Sequence, residues 1–376
     1  MLTPESRIED FPYLEKIHYL NTAADGLCPN CVKDALVEYA EDKAKGMGMG
    51  AREEHYAKWH ALRKHAGSLF SVPDTHIALC SSSSEAFNLI ATSLHLKAGN
   101  EVIINDLDYP SGITPWYREH TDIKVKVWHS REGRLHTEDL EALISEKTSL
   151  INLSLVSFYN GFRIDLEEVS QLVRKSSDAV LTLDATQGAG RISFDAEQVD
   201  IVVSSTHKWL MGSHGACIVA IPKTSKVDWC VRAGGWHNLE DPFNSNRFDQ
   251  AATVMPGADG FMLGMPGFPA VYAVERSLAY LLRIGVHNIE HAANPLVKFA
   301  IEELEKLPVN LITPNQDKNL AGILSFTHAD AENICLSLNE KNVSVIYHAG
   351  RIRLAIHGYN NEQDIEAFLS HLITAL

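Results

Sequence analysis

The sequence predicts an α/β protein built on a mainly parallel sheet, divided into one larger and one smaller domain. Two short apolar runs, Val180-Leu181-Thr182-Leu183 and Ile201-Val202-Val203, are β-branched and bounded by polar residues, as the buried strands of a parallel sheet are. Runs of this kind alternate along the chain with stretches of helical periodicity. At 376 residues the chain also exceeds what one core usually organises, so two domains are expected.

Composition narrows the class of ligand. The 45% hydrophobic content supports a full core, and 48 acidic against 33 basic residues leave a formal charge of −15. Such a surface repels phosphate backbones and anionic membranes, which leaves small metabolites as the expected ligands. No apolar run approaches the roughly 18 residues of a spanning helix, and the start Met1-Leu2-Thr3-Pro4-Glu5-Ser6 lacks the features of a signal peptide, so a cytoplasmic protein is expected. Six cysteines read as buried free thiols, and Cys28-Pro29-Asn30-Cys31 as structural rather than a redox pair, because no strand precedes it.

In chain order, residues 1–20 form an arm ending in a short strand, Ile17-His18-Tyr19-Leu20. A turn of small residues, Asn21-Thr22-Ala23-Ala24-Asp25-Gly26, leads to a helix over 31–45. Gly46-Met47-Gly48-Met49-Gly50 reads as a hinge and not a nucleotide fingerprint, since no strand precedes it. The helix after it, over 53–70, aligns Tyr56, Trp59, Leu62, Leu69 and Phe70 near one face, a core pattern. A strand over 77–80 then runs into Ser81-Ser82-Ser83-Ser84, a strong helix-start signal whose free amides suit an anion. Further strands are expected over 101–104, 124–128 and 150–155, and a glycine-punctuated turn and strand over 211–220. Residues 234–260 read as a long loop of the kind that lines a site or an interface. Helices over 269–284 and 286–307 and strands near 309–312, 322–327 and 343–346 make the smaller domain. The boundaries expected are thus 1–20 for the arm, 21–265 for the large domain and 266–376 for the small one. His287-Asn288-Ile289-Glu290-His291 superficially matches a zinc pattern, but one face of an amphipathic helix explains it, and no metal site is expected. In Arg351-Ile352-Arg353, alternation puts both arginines on one face of a strand, and Asn360 is positioned to cap a helix running to Leu376.

The chemistry concentrates where two strands end. Asp184-Ala185-Thr186-Gln187 and Ser204-Ser205-Thr206-His207-Lys208-Trp209 lie at carboxyl ends of strands, where open α/β sheets bind ligands. An acid, a small residue, an amide, a hydroxyl, a histidine and a lysine together suit pyridoxal 5'-phosphate. Its aldehyde forms a Schiff base with a lysine, here Lys208, and its ring nitrogen stays protonated beside a buried carboxylate, here Asp184. Ala185 lets a flat ring lie against the backbone, Gln187 can donate to the phenolate oxygen, and Ser205 and His207 can donate to phosphate.

The same residues carry a resemblance. Asp-Ala-x-Gln followed by Ser-x-His-Lys-Trp-Leu-x-Gly resembles the class V aminotransferase family of fold-type I pyridoxal-phosphate enzymes, which holds cysteine desulfurases, selenocysteine lyases and isopenicillin N epimerase-like proteins. The resemblance runs over about 17–370. It implies a seven-stranded sheet in the large domain and a homodimer with its active site at the interface. It places the 21–26 turn near a substrate carboxylate, puts Ser83 and Ser84 on the phosphate, and makes Tyr109 a stacking partner of the ring. Phe158 stands where desulfurases carry an asparagine, and Asn160 is the expected substitute as a substrate-side amide. Met265 takes the place of a threonine that reaches the neighbouring subunit's phosphate. Arg353 becomes the residue that holds an amino-acid substrate's α-carboxylate, with Lys208 as general base. Desulfurases need a cysteine nucleophile shortly before that arginine; none lies between Lys341 and Arg353, and Cys335 aligns poorly. β-Elimination, C–S cleavage included, is therefore the leading expectation. Transamination and epimerisation stay open, and a non-catalytic cofactor-binding domain is the remote alternative.

Overall fold

The computed structural model describes residues 3–46, 49–117, 122–249 and 251–376. In chain order its strands are β1 (His18–Tyr19), β2 (Ile77–Cys80), β3 (Glu101–Asn105), β4 (Lys124–Trp128), β5 (Thr148–Ser154), β6 (Val180–Asp184) and β7 (Ile201–Ser205), then β8 (Cys217–Ala220), β9 (Asn310–Leu311), β10 (Ile323–Thr327), β11 (Val343–Ser344), β12 (Ile346–His348) and β13 (Arg351–Ala355). A seven-stranded sheet takes the order β2-β8-β7-β6-β5-β3-β4. Neighbours from β7 to β4 are parallel, and β8 alone runs against its neighbours β7 and β2. The mainly parallel sheet expected from the apolar runs is what forms, because helices cover both faces and the strands need no polar alternation.

The helix Leu166–Ser176 shows how the covering works. Asp165 caps it by accepting from the Glu168 amide, and it buries Leu166, Val169 and Val173 on one stripe. Glu167 and Glu168 in its first turn and Arg174 and Lys175 in its last complement the helix dipole. Helices of this kind turn each strand's carboxyl end to the same edge of the sheet.

A second, smaller sheet has the order β12-β13-β10-β9, all antiparallel, with its own core around Val297, Leu324, Phe326, Ile352 and Phe368. The boundary expected at 266 does not coincide with the change of core. The helix Phe268–Ile284 gives Val271, Val274, Leu278 and Leu281 to the first core, and the second begins at Ala293 within the helix Val286–Leu304. Helical periodicity shows that a face is apolar, not which core receives it.

The N-terminal segment is also more than an arm. Phe11 and Leu14 enter the first core, Leu20 the second, and β1 pairs in parallel with β11. Arg7 is buried against Asp364 at 3.0 Å and donates to the Tyr359 carbonyl at 2.6 Å. The C-terminal helix Glu362–Ala375 is capped by Asn361 rather than Asn360, whose amide is spent on the Tyr19 carbonyl. Of the hinge 46–50, residues 47 and 48 lie outside the described residues, and the next helix, Met49–Phe70, starts earlier than expected. Glu290 of the zinc-like pattern is engaged by Arg163 at 2.7 Å and by the Ser193 amide. All six cysteines are free thiols; Cys80, Cys217 and Cys335 are buried, but Cys28 and Cys230 are exposed, contrary to expectation. None of the described helices is long and apolar enough to cross a membrane.

Candidate active site

The carboxyl ends of β2, β5, β6 and β7 and the hairpin β12–β13 enclose a pocket of about 400 Å³, within the usual range for a small-molecule site. Its lining brings together Ser83, Ser84, Tyr109, Asp184, Gln187, Ser205, His207, Lys208 and Arg353, residues that sequence reasoning singled out. Ala185 is wholly buried behind them and gives the pocket no surface.

Asp184 ends β6 almost fully buried, and one of its oxygens accepts from the Thr186 amide at 2.9 Å. Burial pushes its carboxyl up, while Thr186 and the charge of Lys208 oppose that shift. Burial likewise pushes the Lys208 ammonium down to about 8, with Arg353 adding to the shift and Asp184 and Asp25 opposing it. A lysine lowered to about 8 is still mostly ammonium at pH 7 but yields a free amine far more readily than an ordinary lysine, as a nucleophile or base must. Its backbone is clamped by the 21–26 turn. The Gly26 amide donates to the His207 carbonyl at 2.8 Å, and a Cβ at Gly26 would lie 1.9 Å from the Lys208 carbonyl oxygen. Only glycine permits that approach.

Ser82 caps the helix Ser83–Ser93 by accepting from the Glu85 amide, so Ser83 and Ser84 stand in its first turn, where backbone amides face outward to an anion. The Ser83 hydroxyl meets that of Ser111 at 3.3 Å. Across the pocket the Tyr109 ring faces Lys208 Nζ at 5.3 Å and meets Phe158 edge-on at 5.0 Å, which leaves an aromatic face open to a flat ligand. His207 stacks on His214, centroids 3.9 Å apart. Burial, then the charges of Lys208 and His214, push the His207 imidazolium down to about 4, so the ring is neutral and offers one N–H.

The two arginines of β13 part company. Arg351 is fully buried, donates to the carbonyls of Tyr159 at 2.6 Å and His348 at 2.9 Å, and lies over the Tyr159 ring at 4.0 Å. Arg353 reaches the pocket: one Nη donates to the Phe158 carbonyl at 3.0 Å, and its buried Nε has no protein partner. A guanidinium that lines a cavity with one N–H unpaired suits an anionic ligand.

One expected role does not fit. Asn160 lies outside the pocket, fully buried, with its amide donating to the Gly133 carbonyl at 2.7 Å and its oxygen accepting from Phe162. The positive φ of Gly161 turns the chain so that Asn160 faces inward and cannot serve substrate. Gln187 borders the pocket, yet its oxygen accepts from Trp209 at 2.7 Å and its nitrogen donates to the Ala23 carbonyl at 3.1 Å. That amide braces the lysine's neighbour with its oxygen and one N–H, and its second N–H is left for the expected phenolate. Met265 has an internal partner, its sulfur accepting from the Tyr56 hydroxyl at 3.5 Å.

The sequence reading missed His214, Ile346 and His348, all of which line the pocket. The two-residue turn Ala349-Gly350 before Arg351 was the available signal for the last two, since it brings the residues before it back against β13. Lys208 and Arg353 thus share the pocket with one carboxylate, Asp184, a basic lining inside an acidic protein. The donor set fits pyridoxal phosphate with an amino acid. Lys208 would bind the aldehyde, Asp184 the ring nitrogen, Tyr109 the ring face, the Ser83 helix start with Ser205 and His207 the phosphate, and Arg353 the substrate carboxylate.

The aminotransferase class-V family matches residues 18–368. An uncharacterized aminotransferase of Bacillus subtilis (strain 168) is 26% identical, covering 96% of this chain and 95% of its own length. Among solved structures, the apo cysteine desulfurase of Thermococcus onnurineus NA1 superposes with a TM-score of 0.88 at 23% identity, over 98% of this chain and 97% of the other. A complex of the cystine C-S lyase C-DES with its product cysteine persulfide gives 0.86 at 20% identity, over 96% and 98%. These likenesses in fold agree with the sheet order and with the pocket at its carboxyl edge, and by the family match the chain belongs to the aminotransferase class-V family.

Proposed function

We propose that the protein is a pyridoxal-phosphate-dependent lyase that eliminates a β-substituent from an α-amino acid, with C–S cleavage as its reaction. The observation that carries this reading is that Lys208, a buried lysine of lowered pKa, and Arg353, a buried arginine with an unpaired N–H, line one small pocket. When bound, the cofactor supplies an electron sink that acidifies the substrate's α-proton. Arg353 holds the α-carboxylate, which orients Cα, and Lys208 as free amine takes the proton from it. Asp184 would keep the ring nitrogen charged, and Tyr109 would cover one face of the ring.

Elimination is favoured over sulfur transfer to a protein thiol because no cysteine lines the pocket. Cys335 is held in the helix Ala331–Glu340, its sulfur directed at the Val345 carbonyl. Kinship of fold with a cystine C-S lyase supports the same choice over transamination or epimerisation. Incubating the enzyme with a panel of amino acids, cysteine and cystine included, should give pyruvate, ammonia and a reduced sulfur product. A keto acid retaining the substrate's side chain, with no ammonia, would replace the lyase with a transaminase.

We further infer a homodimer that completes the site. Trp236, Phe243 and Phe248 are exposed on the long segment after β8, the last two more than three-quarters so, and apolar rings on an extended loop suit a partner surface. Free thiols suit a reducing compartment, so we place the enzyme in the cytoplasm. Light scattering of the eluted protein should give twice the chain mass, and a fully active monomer would refute the dimer.

A further inference from the structure

The hairpin β12–β13 forms a wall of the pocket that the reading above does not use in full. In its register Ile346 stands opposite Arg353 and His348 opposite Arg351. Residues directly opposite in an antiparallel pair share a face, so Ile346, His348, Arg351 and Arg353 all project to one side. Ile346 and His348 line the pocket beside Arg353. The turn that joins the strands is Ala349-Gly350, with φ of +50° and +79°, the left-handed pair of a tight two-residue hairpin. Arg351 donates to the His348 carbonyl at 2.9 Å and to the Tyr159 carbonyl at 2.6 Å. The His348 backbone is therefore fixed to the large domain, while its side chain stays solvent-accessible at the pocket mouth.

Three histidines line this pocket, and two are committed. His207 is stacked on His214 and is neutral near pH 7. His214 is held between that ring and Asp25, which it approaches to 3.5 Å. His348 comes from the opposite wall, next to the arginine that orients the substrate. With the carboxylate on Arg353 and the α-proton directed to Lys208, as in the proposed function, the hairpin face beside Arg353 is a wall open to the substrate's side chain.

We propose that His348 is the general acid for the leaving group, which selects β-substituted amino acids whose leaving atom needs a proton, thiolates above all; this rests on the lyase reading. Lys208 removes the α-proton, and the electron pair of that C–H bond becomes the second bond between Cα and Cβ. The Cβ–S bond breaks with its pair on sulfur, and the His348 imidazolium gives its N–H proton to that sulfur, so a neutral thiol departs. His348 is left neutral and takes up a proton from water at its exposed edge. The 2-aminoacrylate product consumes one water to give pyruvate and ammonia.

The test compares holoenzyme with His348→Gln and His348→Ala on S-methylcysteine, whose thiolate leaves poorly unprotonated, and on β-chloroalanine, whose chloride needs no proton. Unchanged cofactor absorbance verifies that the variants are folded and loaded. The expected result is a kcat loss of about 10²-fold on S-methylcysteine and less than about twofold on β-chloroalanine, which asks for no acid. Equal losses on both substrates, or none on either, would overturn the assignment of His348. A parent that expels chloride but never a thiolate would overturn it too, with the lyase reading intact. A parent that eliminates neither would overturn the lyase reading itself.

Discussion

The floor and the hairpin wall of the pocket are built in opposite ways. The floor is made by strand ends of the large sheet and is braced from below by buried polar bonds. Asp108 accepts from the Ser154 amide at 2.9 Å and from Asn152 at 3.0 Å, and the Thr182 hydroxyl donates to Asn152 at 2.8 Å. The Ser205 amide donates to the Thr186 hydroxyl, whose own amide serves Asp184. Burial, with Asp184 adding, pushes the Asp108 carboxyl up to about 7, and burial pushes the Asp184 carboxyl up as well. The wall is a short hairpin with one solvent-facing edge, and its residues Ile346 and His348 have no counterpart in the floor's network. The difference separates two tasks. On the proposed function, cofactor chemistry would sit where a rigid core fixes the groups, and substrate choice where a small turn can vary without disturbing that core.

Three substitutions or titrations sharpen that division. The largest effect belongs to the floor. Asp184→Asn keeps the shape but loses the charge opposite a ring nitrogen, and turnover should fall by about 10³-fold. Melting temperature should change little, and near-parental turnover would remove Asp184 from the ring. Next come the two arginines of β13. Arg353→Ala should raise KM by tens- to thousands-fold, the worth of charge-assisted bonds of roughly 1.5–3 kcal/mol each. Arg351→Ala should act chiefly on stability, costing about 1–3 kcal/mol by leaving two carbonyls unpaired, with a smaller effect on KM. The reverse pattern would mean that Arg351, not Arg353, meets the carboxylate.

The smallest effect is a shift on the pH axis. Only the neutral amine of Lys208 captures an aldehyde, so capture of the cofactor by stripped protein should quicken with pH and level off above about 8. Arg353→Met removes a neighbouring positive charge, which favours the ammonium and should move that plateau to higher pH. A rate that climbs unbroken towards the range of an ordinary lysine would show that Lys208 is not buried against these charges.

Much of the floor was legible because its residues follow strands directly in the chain. Asp184 and Ser205 end the apolar runs that revealed β6 and β7, and Lys208 comes three residues later. The wall was not, for a topological reason. A strand was expected near 343–346, but Val343–Ser344 pairs with β1, and the chain changes sheets at Val345 before Ile346–His348 pairs with β13. Alternation cannot foresee such a switch within one residue. Asn160 failed for another reason. The group that occupies its amide, the Gly133 carbonyl, lies far off in sequence, so only the fold could show that it was already spoken for.

The central claim is that Lys208 is the cofactor's anchor at this pocket, and chemical trapping tests it most directly. The protein is loaded with pyridoxal phosphate, reduced with borohydride, digested and read by mass spectrometry. The account predicts a phosphopyridoxyl group on the peptide containing Lys208, and its loss, with no label elsewhere, in Lys208→Ala. A protein that takes up no cofactor, or that carries the label on a different lysine, would contradict it.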